Sequence, residues 1–360
     1  MTRAVLFHAA GRPLDLVEFA APEPTGPEVR VRITCCTLCR SDLHTHSGRR
    51  IEPCPTVLGH EIVGVIEAFG PDAPRHDASG VAVEVGSRVT WAVAVGCGHC
   101  FYCRHDLPQK CETPYKYGHR QTDPATPDGG GLADRITLVP NTVWYRVPDD
   151  IPDAVAAQAN CATATAAAVV RAGGPVSGQT VLVFGAGVLG LTACAMARAG
   201  GATAVLVSDP LPAGRERANV FGATAATSPD ELEAAVNGAT AGRGADVVYE
   251  LAGAASTVEA ALKLVRVGGT VVLAGTVAPV GAVAFDPERA VRRMLTVRGV
   301  HNYHPRDLAD ALAFLAGAGR AYPWESLVVG RFPLAETEAA FAAAHARPGV
   351  RVAVVPEGLA

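Results

Sequence analysis

Residues 180–190 read Thr-Val-Leu-Val-Phe-Gly-Ala-Gly-Val-Leu-Gly, an apolar run that ends in the pattern G-x-G-x-x-G. The β-branched run predicts a buried strand, and the Ala-rich segment 189–199 predicts a helix directly after it. In this setting the first glycine makes a tight turn, the second lets the backbone approach a pyrophosphate, and the third lets helix and strand pack closely. The predicted dinucleotide-binding residues are Gly185, Gly187, Val188, Leu189 and Gly190.

The next predicted strand, 204–208, is followed by an acidic residue, Asp209, which lies 19 residues beyond Gly190. A carboxylate at this position accepts hydrogen bonds from the adenosine ribose and repels a 2′-phosphate, so the pattern predicts NAD rather than NADP. The other interpretation of Asp209 is a solvated strand end before Pro210.

Strands and helices alternate from about Ala154 onward, with further strands predicted at 246–251 and 269–274. Repeated strand–helix units predict an α/β fold with a doubly wound parallel sheet. Before Ala154 the chain contains short β-branched segments, such as 29–33 and 62–68, separated by Gly and Pro. These segments predict a small β-rich, barrel-like unit, and the change of pattern predicts a domain boundary.

The composition of the 360 residues excludes several classes of protein. Lys and Arg number 31 against 35 Asp and Glu, so we expect neither a nucleic-acid partner nor a membrane partner. The N-terminus lacks the apolar core of a signal peptide, and the longest apolar stretch, 181–197, is too short and too rich in glycine to span a bilayer. We expect a cytoplasmic protein, in which ten cysteines indicate metal binding or catalysis rather than disulfides.

Four of these cysteines are spaced C-x2-C-x2-C-x7-C within residues 97–111. They are Cys97, Cys100, Cys103 and Cys111. Four thiolates in a tight loop suit tetrahedral zinc and leave no coordination position for a substrate, so the spacing predicts a structural zinc lobe. An iron–sulfur centre is the alternative, although the spacing differs from the common ferredoxin patterns.

A second set of metal-binding residue types is spread over three segments. These segments read C-R-S-D-L-H at 39–44, G-H-E at 59–61 and N-C-A-T-A-T at 160–165. A set of two Cys and one His from separate segments is what a catalytic zinc with one open coordination position requires.

With these motifs in this order, the sequence resembles the zinc-dependent medium-chain dehydrogenase/reductase family over essentially the whole chain. The resemblance implies a GroES-like β-rich catalytic domain, with the zinc-binding lobe, made from residues 1–161 together with 301–360. It implies that a Rossmann NAD-binding domain over residues 162–300 is inserted between these two segments.

The resemblance also implies which residues hold the catalytic zinc. Cys39, His60 and Cys161 correspond to the ligands, and Asp42 corresponds to the residue that orients His60. Glu61 stands beside the metal in this family, so either Cys161 or Glu61 completes the set.

Other residues take their expected roles from the same resemblance. Ser41 would bridge the substrate oxygen to the nicotinamide ribose, and His44 would pass the proton to solvent. Arg40 and Arg351 would contact the pyrophosphate. Thr165 would contact the nicotinamide ring.

A narrower resemblance concerns the subgroup described as phosphonate-catabolism-associated alcohol dehydrogenases. It rests on residues 39–50 and 160–165 and on the segment R-G-V-H-N-Y at 298–303. Within these segments Arg49, Arg50 and His301 are candidates to bind an anionic group of the substrate. The alternative for the two arginines is a solvated basic turn.

Together these features predict an enzyme that transfers a hydride between a small alcohol, or its aldehyde or ketone, and NAD, with two zinc ions per chain. A polyol or sugar dehydrogenase of the same superfamily is the alternative. A zinc-free reductase is disfavoured because Cys39 and His60 are present, and a non-catalytic binding protein is disfavoured by the charge balance. We expect a homodimer or homotetramer.

Overall fold

The computed structural model describes residues 1–356. In chain order the strands are β1 Thr2–Phe7, β2 Asp15–Phe19, β3 Val29–Thr37, β4 Thr56–Val57, β5 Glu61–Phe69, β6 Arg88–Trp91, β7 Ala94–Val95, β8 Tyr115–Lys116, β9 Arg135–Leu138, β10 Trp144–Arg146, β11 Thr180–Phe184, β12 Ala204–Ser208, β13 Ala225–Thr227, β14 Ala245–Glu250, β15 Val265–Leu273, β16 Thr296–Gly299, β17 Val328–Pro333 and β18 Arg351–Val355. The α-helices are α1 Arg40–His46, α2 Phe101–Arg104, α3 Asp153–Gln158, α4 Ala164–Gly173, α5 Val188–Ala199, α6 Pro212–Val220, α7 Leu232–Thr240, α8 Ala255–Leu264, α9 Pro287–Arg292, α10 Pro305–Ala316 and α11 Thr337–Ala346.

The chain forms two compact units. The first contains Met1–Cys161, His304–Ala316 and the described residues from Trp324 onward, and the second contains Ala162–Tyr303 and Gly317–Pro323. We call them the catalytic unit and the nucleotide unit.

The catalytic unit is built around a seven-stranded sheet in the order β10-β6-β5-β3-β18-β17, with β9 also paired to β3. Eight of the nine residues of β3 are buried, and five of these eight are β-branched, as favoured in strands. Within this sheet Thr37, the last residue of β3, pairs with Glu61, the first residue of β5. Thr37 also pairs with Ala353 of β18, so the ends of three strands meet at one place.

The nucleotide unit contains a six-stranded parallel sheet in the order β13-β12-β11-β14-β15-β16. This order confirms the predicted doubly wound α/β sheet, in which the chain leaves the central strand β11 first toward β12 and later toward β14. The strands predicted at 180–184 and 204–208 have these same bounds in the structure. A completely buried apolar strand such as β11 is readily predicted because both of its faces are covered.

Seven residues near the C-terminus, Gly317–Pro323, pack with the nucleotide unit, whereas the predicted division assigned all of 301–360 to the catalytic domain. The ring of Tyr322 stacks on Phe221 with a centroid distance of 5.8 Å and an interplanar angle of 10°. This aromatic contact lies within the nucleotide unit, and no pattern in the sequence signals it.

No helix among residues 1–356 is both long enough and apolar enough to cross a membrane.

Candidate active site

The catalytic unit brings Cys39, His60 and Cys161 together although they are far apart in sequence. Their sulfur and imidazole nitrogen atoms all lie within 4.8 Å of one another, and the two sulfur atoms are 3.9 Å apart. Cys39 is the N-cap of α1, His60 immediately precedes β5, and Cys161 lies in the π-helical turn Ala159–Thr163. Two thiols and an imidazole at this spacing fit a zinc ion and leave one coordination position for another ligand.

Asp42 forms hydrogen bonds to residues of all the segments around Cys39 and His60. Its Oδ1 lies 3.2 Å from His60 Nδ1 and accepts a hydrogen bond from Gly59 N, while its Oδ2 accepts one from Cys39 N at 2.9 Å. A carboxylate oxygen only accepts, so Nδ1 of His60 carries the proton and Nε2 is left to bind a metal. Burial alone would lower the pKa of His60, but the adjacent Asp42 carboxylate outweighs it and raises the pKa.

Gly59 permits the close approach that this arrangement needs. Its φ is +87°, and a Cβ atom there would lie 2.6 Å from Cys36 Sγ. A larger residue would therefore clash with Cys36 and Leu132, directly before His60 and at the amide that Asp42 holds.

The zinc lobe lies in the loop between β7 and β8, and its four cysteines form the second group of potential metal ligands. Backbone amides donate to the sulfurs: Cys97 N to Cys111 Sγ at 3.2 Å and Cys100 N to Cys97 Sγ at 3.3 Å. Amide donors, with Cys103 first, lower the pKa of Cys100 to about 6. A set of four thiol groups with these donors fits a closed tetrahedral zinc site.

The nucleotide unit places the glycine-rich turn between β11 and α5. Gly185 has φ +93°, and a Cβ atom on Gly190 would lie 1.8 Å from the Gly185 carbonyl oxygen. The Asp209 carboxylate binds this turn directly, because Oδ2 accepts a hydrogen bond from Ala186 N at 2.7 Å. Its Oδ1 accepts a second one from Leu211 N at 2.8 Å, so each oxygen keeps lone pairs for a ribose hydroxyl.

Residues 25–149 match the family described as alcohol dehydrogenase GroES-like domain, and residues 188–317 match the family described as zinc-binding dehydrogenase. The L-threonine 3-dehydrogenase of Pyrococcus horikoshii is 31% identical over 309 residues, which cover 84% of this chain and 83% of that protein. The chain belongs to the zinc-dependent alcohol dehydrogenases of the medium-chain dehydrogenase/reductase family.

Two solved structures are similar to this dehydrogenase over almost its whole length. An alcohol dehydrogenase from Thermotoga maritima has a TM-score of 0.92 at 26% identity and covers 99% of both chains. A zinc-binding dehydrogenase from Sinorhizobium meliloti bound to NADP has a TM-score of 0.86 at 26% identity, again covering 99% of both chains. The α/β fold with GroES-like and Rossmann parts, predicted from the motifs, is confirmed.

Arg351 has a buried partner that the sequence did not predict. Arg351, expected at the pyrophosphate, is buried at the start of β18, where Nε and Nη2 both donate to the Glu61 carboxylate at 2.8 Å. Nη2 also donates to Cys39 Sγ at 3.6 Å, and Thr37 Oγ1 donates to Glu61 Oε2 at 2.6 Å. Arg351 is thus the counter-charge of Glu61 beside the metal group, and its contact with the pyrophosphate stays a prediction.

The same geometry bears on the third metal ligand. The Arg351 guanidinium and the Thr37 hydroxyl hold both oxygens of Glu61, whereas the Cys161 sulfur faces Cys39. Hydrogen bonding with Cys161, helped by Arg351, holds the pKa of Cys39 well below its usual range. Cys161 therefore fits the ligand set better than Glu61 does.

Helix α1 carries the residues predicted to move the proton. Ser41 Oγ lies 3.3 Å from His60 Nε2, at the edge of the metal group, and Arg40 Nε lies 3.5 Å from His44 Nε2. Burial, with the charge of Arg40, lowers the pKa of His44. The contact expected between Thr165, a half-buried residue of α4, and the nicotinamide ring stays a prediction.

A chain of polar residues beside the metal group was not found from the sequence. The ring of His119 lies 4.7 Å from that of His60, and His119 Nδ1 lies 3.1 Å from Glu52 Oε1, which also pairs with Arg50 at 2.6 Å. Burial lowers the pKa of His119 to about 4 despite Glu52, so the ring is neutral near pH 7. Spacing alone could not reveal this contact, because the two histidines are 59 positions apart in the sequence.

Proposed function

We propose that this chain is an NAD-dependent zinc alcohol dehydrogenase that binds two zinc ions, one at Cys39, His60 and Cys161 and one in the zinc lobe. The observation that carries the proposal is the group of two thiols and one imidazole, ordered by a buried carboxylate and keeping an open position. Zinc bound there would act as a Lewis acid and lower the pKa of a bound alcohol toward neutral pH.

The chain's own residues supply the proton path and the cofactor contacts. Ser41 is near enough to His60 Nε2 to meet a substrate oxygen at the metal group, so we assign it the first proton transfer. His44 lies one helical turn further along α1, is partly exposed and has a lowered pKa, which suits a group that releases the proton to solvent. NAD bound by the nucleotide unit would supply the hydride acceptor, while Ser41 and His44 carry the proton from the alcohol to solvent.

The preference for NAD rests on Asp209. A 2′-phosphate on the adenosine ribose would approach a carboxylate that is already fixed by two amides and cannot easily rotate away. The carboxylate and the phosphate are both negatively charged and would repel each other, which disfavours NADP. The similar Sinorhizobium protein was solved with NADP, so cofactor choice within this family needs measurement for each chain.

The experiment is a rate measurement of purified, zinc-loaded protein with NAD⁺ and with NADP⁺ on a panel of alcohols and polyols. We expect oxidation of at least one alcohol and a kcat/KM at least about tenfold higher with NAD⁺. A Cys39→Ala variant should lose turnover but keep its fold. Turnover by this variant at the normal rate would refute the assigned metal site.

For the substrate we propose an alcohol that carries a phosphonate or another anionic group. Arg50 supports this because Glu52 holds its side chain in the chain of contacts that ends at His60. Arg49 and His301 are exposed, and their roles stay predictions. A hydroxyalkyl phosphonate should then exceed the uncharged alcohol of equal length in kcat/KM, and Arg50→Met should remove the difference. Equal rates would favour an uncharged alcohol or polyol.

We also propose that the protein is a homodimer or homotetramer. The supporting feature is β16, which forms an edge of the parallel sheet, with all four residues exposed, including Val297. Apolar Val291 and Met294, which precede β16 in the chain, are also exposed. An open, apolar strand edge favours pairing with another chain. Light scattering should give two or four chains per particle, and Val297→Lys should lower that number.

A further inference from the structure

Glu250, the last residue of β14, has a completely buried carboxylate. It lies at the carboxyl ends of the parallel strands, as does the glycine-rich turn. Its Oε1 accepts hydrogen bonds from Ala252 N at 3.0 Å, from Gly253 N at 2.7 Å and from Thr257 Oγ1 at 2.8 Å. Its Oε2 is buried and has no hydrogen-bond partner among residues 1–356. A buried carboxylate with one unsatisfied oxygen is unfavourable for stability, so stability alone does not account for this residue.

Through these contacts Glu250 joins three turns. The turn after β14 is held by Oε1 and touches the glycine-rich turn, because a Cβ atom on Gly185 would lie 3.1 Å from Ala252 Cα. The turn after β15 is held by the Glu250 carbonyl oxygen, which accepts from Gly275 N at 2.8 Å. The same two turns are in close contact, since a Cβ atom on Gly253 would lie 2.5 Å from the Gly275 carbonyl oxygen.

The position of these turns identifies the part of a dinucleotide that they face. In an open parallel sheet a ligand binds at the carboxyl ends of the strands, where the strand order reverses, which here is the boundary between β11 and β14. Asp209 follows β12, on one side of β11, and is the residue predicted to bind the adenosine ribose. Glu250 pairs with Phe184 of β11 from the opposite side. The far half of the dinucleotide therefore extends over the turns that Glu250 joins.

We propose that Glu250 is a positioning residue for the nicotinamide half of the cofactor, just as Asp209 fixes the adenosine half. Its Oε1 acts as an acceptor that keeps the turn at 252–253 against the glycine-rich turn, and the backbone there forms the surface on which the nicotinamide nucleoside rests. The proposal rests on the NAD-dependent function proposed above. The proposed role is to accept hydrogen bonds and does not depend on charge. Glutamine at position 250 should therefore preserve NADH affinity, and an apolar residue of similar size should reduce it.

The test compares the binding of NADH with that of AMP, which contains the adenosine half alone. Both affinities are measured by calorimetry on the zinc-loaded chain, without substrate and without turnover. In Glu250→Leu we expect NADH to bind at least about tenfold more weakly, while AMP binding changes less than about twofold. In Glu250→Gln we expect NADH affinity within about threefold of the original, because the amide oxygen still accepts from the turn.

A pair of threonine variants serves if Glu250→Leu does not fold. Thr257→Val removes the hydroxyl that contacts Oε1, and Thr240→Val removes a buried hydroxyl that bonds within α7 and to Gly244 N. We expect Thr257→Val to weaken NADH binding several-fold and Thr240→Val to leave it unchanged.

Three results would overturn the proposal: unchanged NADH affinity in both Glu250→Leu and Thr257→Val, an equal loss of NADH and AMP affinity, or a glutamine variant as weak as the leucine variant. Failure of the unmodified chain to bind either nicotinamide dinucleotide would instead overturn the proposed function itself.

Discussion

Replacing Arg351 with methionine should destabilise the catalytic unit by about 3–5 kcal/mol, the usual consequence of leaving a buried charge without its partner. The guanidinium makes two 2.8 Å bonds to Glu61, whose side chain is completely buried, and a third contact to Cys39 Sγ. Methionine fills most of the same volume but offers no donor. Because whole domains are stable by only about 5–15 kcal/mol, the loss is a large fraction of the total.

Tryptophan fluorescence provides an assay that reports on this unit alone. The chain has three tryptophans, and Trp91, Trp144 and Trp324 all belong to the catalytic unit and are buried. Urea unfolding followed by this signal is therefore insensitive to the nucleotide unit. Arg146→Met is the matched control, since Arg146 forms an exposed pair with Asp149 and its loss should change stability by less than about 1 kcal/mol.

A double variant distinguishes a missing partner from general damage. Adding Glu61→Gln to Arg351→Met removes the uncompensated charge, so the pair should recover at least half of the lost stability. A cost below about 1 kcal/mol for Arg351→Met, or losses that simply add in the double variant, would refute the counter-charge role. A loss of NAD affinity with unchanged stability would support the pyrophosphate role expected from the resemblance.

Four further outcomes are expected. Cys103→Ser should lower the zinc content from about two equivalents to about one and lower the melting temperature, as measured by elemental analysis and calorimetry. Asp42→Asn should weaken zinc binding at the catalytic group about 10–100-fold, which competition with a chelator would measure. Asp209→Ala should reduce the NAD preference at least about tenfold by weakening NAD use and relieving the clash with NADP, seen in the ratio of kcat/KM values. The pKa of His119 is about 4 in the folded chain and near 6.5 in the unfolded chain, so the unfolded chain binds this proton more tightly. The free energy of unfolding should therefore decrease as the pH falls from about 6.5 to about 4. This loss amounts to about 3 kcal/mol, and His119→Phe should flatten that part of the stability profile measured by urea unfolding.

The parts of the fold that the sequence predicts well are those in which local pattern and burial agree. Strand β11 is apolar throughout because it is covered on both faces, and the glycines after it are required by a left-handed backbone and by contact with helix α5. Strand β18 shows the same agreement, because four apolar residues follow Arg351 and four of its five residues are buried. The helix at 232–240 was not predicted, because the turn-type dipeptide Asn237-Gly238 lies inside it.

The interactions that the sequence does not predict join residues that are distant along the chain. Arg351 and Glu61 are 290 residues apart, and their contact depends on β18 pairing with β3 beside β5. Local motifs predict Cys39 and His60 as metal ligands but say nothing about the charge that balances them. Glu250 shows the same limit, because its role depends on three turns that only the folded sheet brings together.

The position of β18 inside the seven-stranded sheet also sets the order in which the protein can be completed during synthesis. A ribosome releases β3 and β5 early, so the nascent chain holds Cys39, His60 and Glu61 long before residue 351 exists. Until then Glu61 lacks its guanidinium partner and β3 lacks a neighbouring strand. The metal site therefore reaches its final electrostatic state only at the end of translation, and a chain interrupted before β18 loses a strand and the counter-charge in the same event.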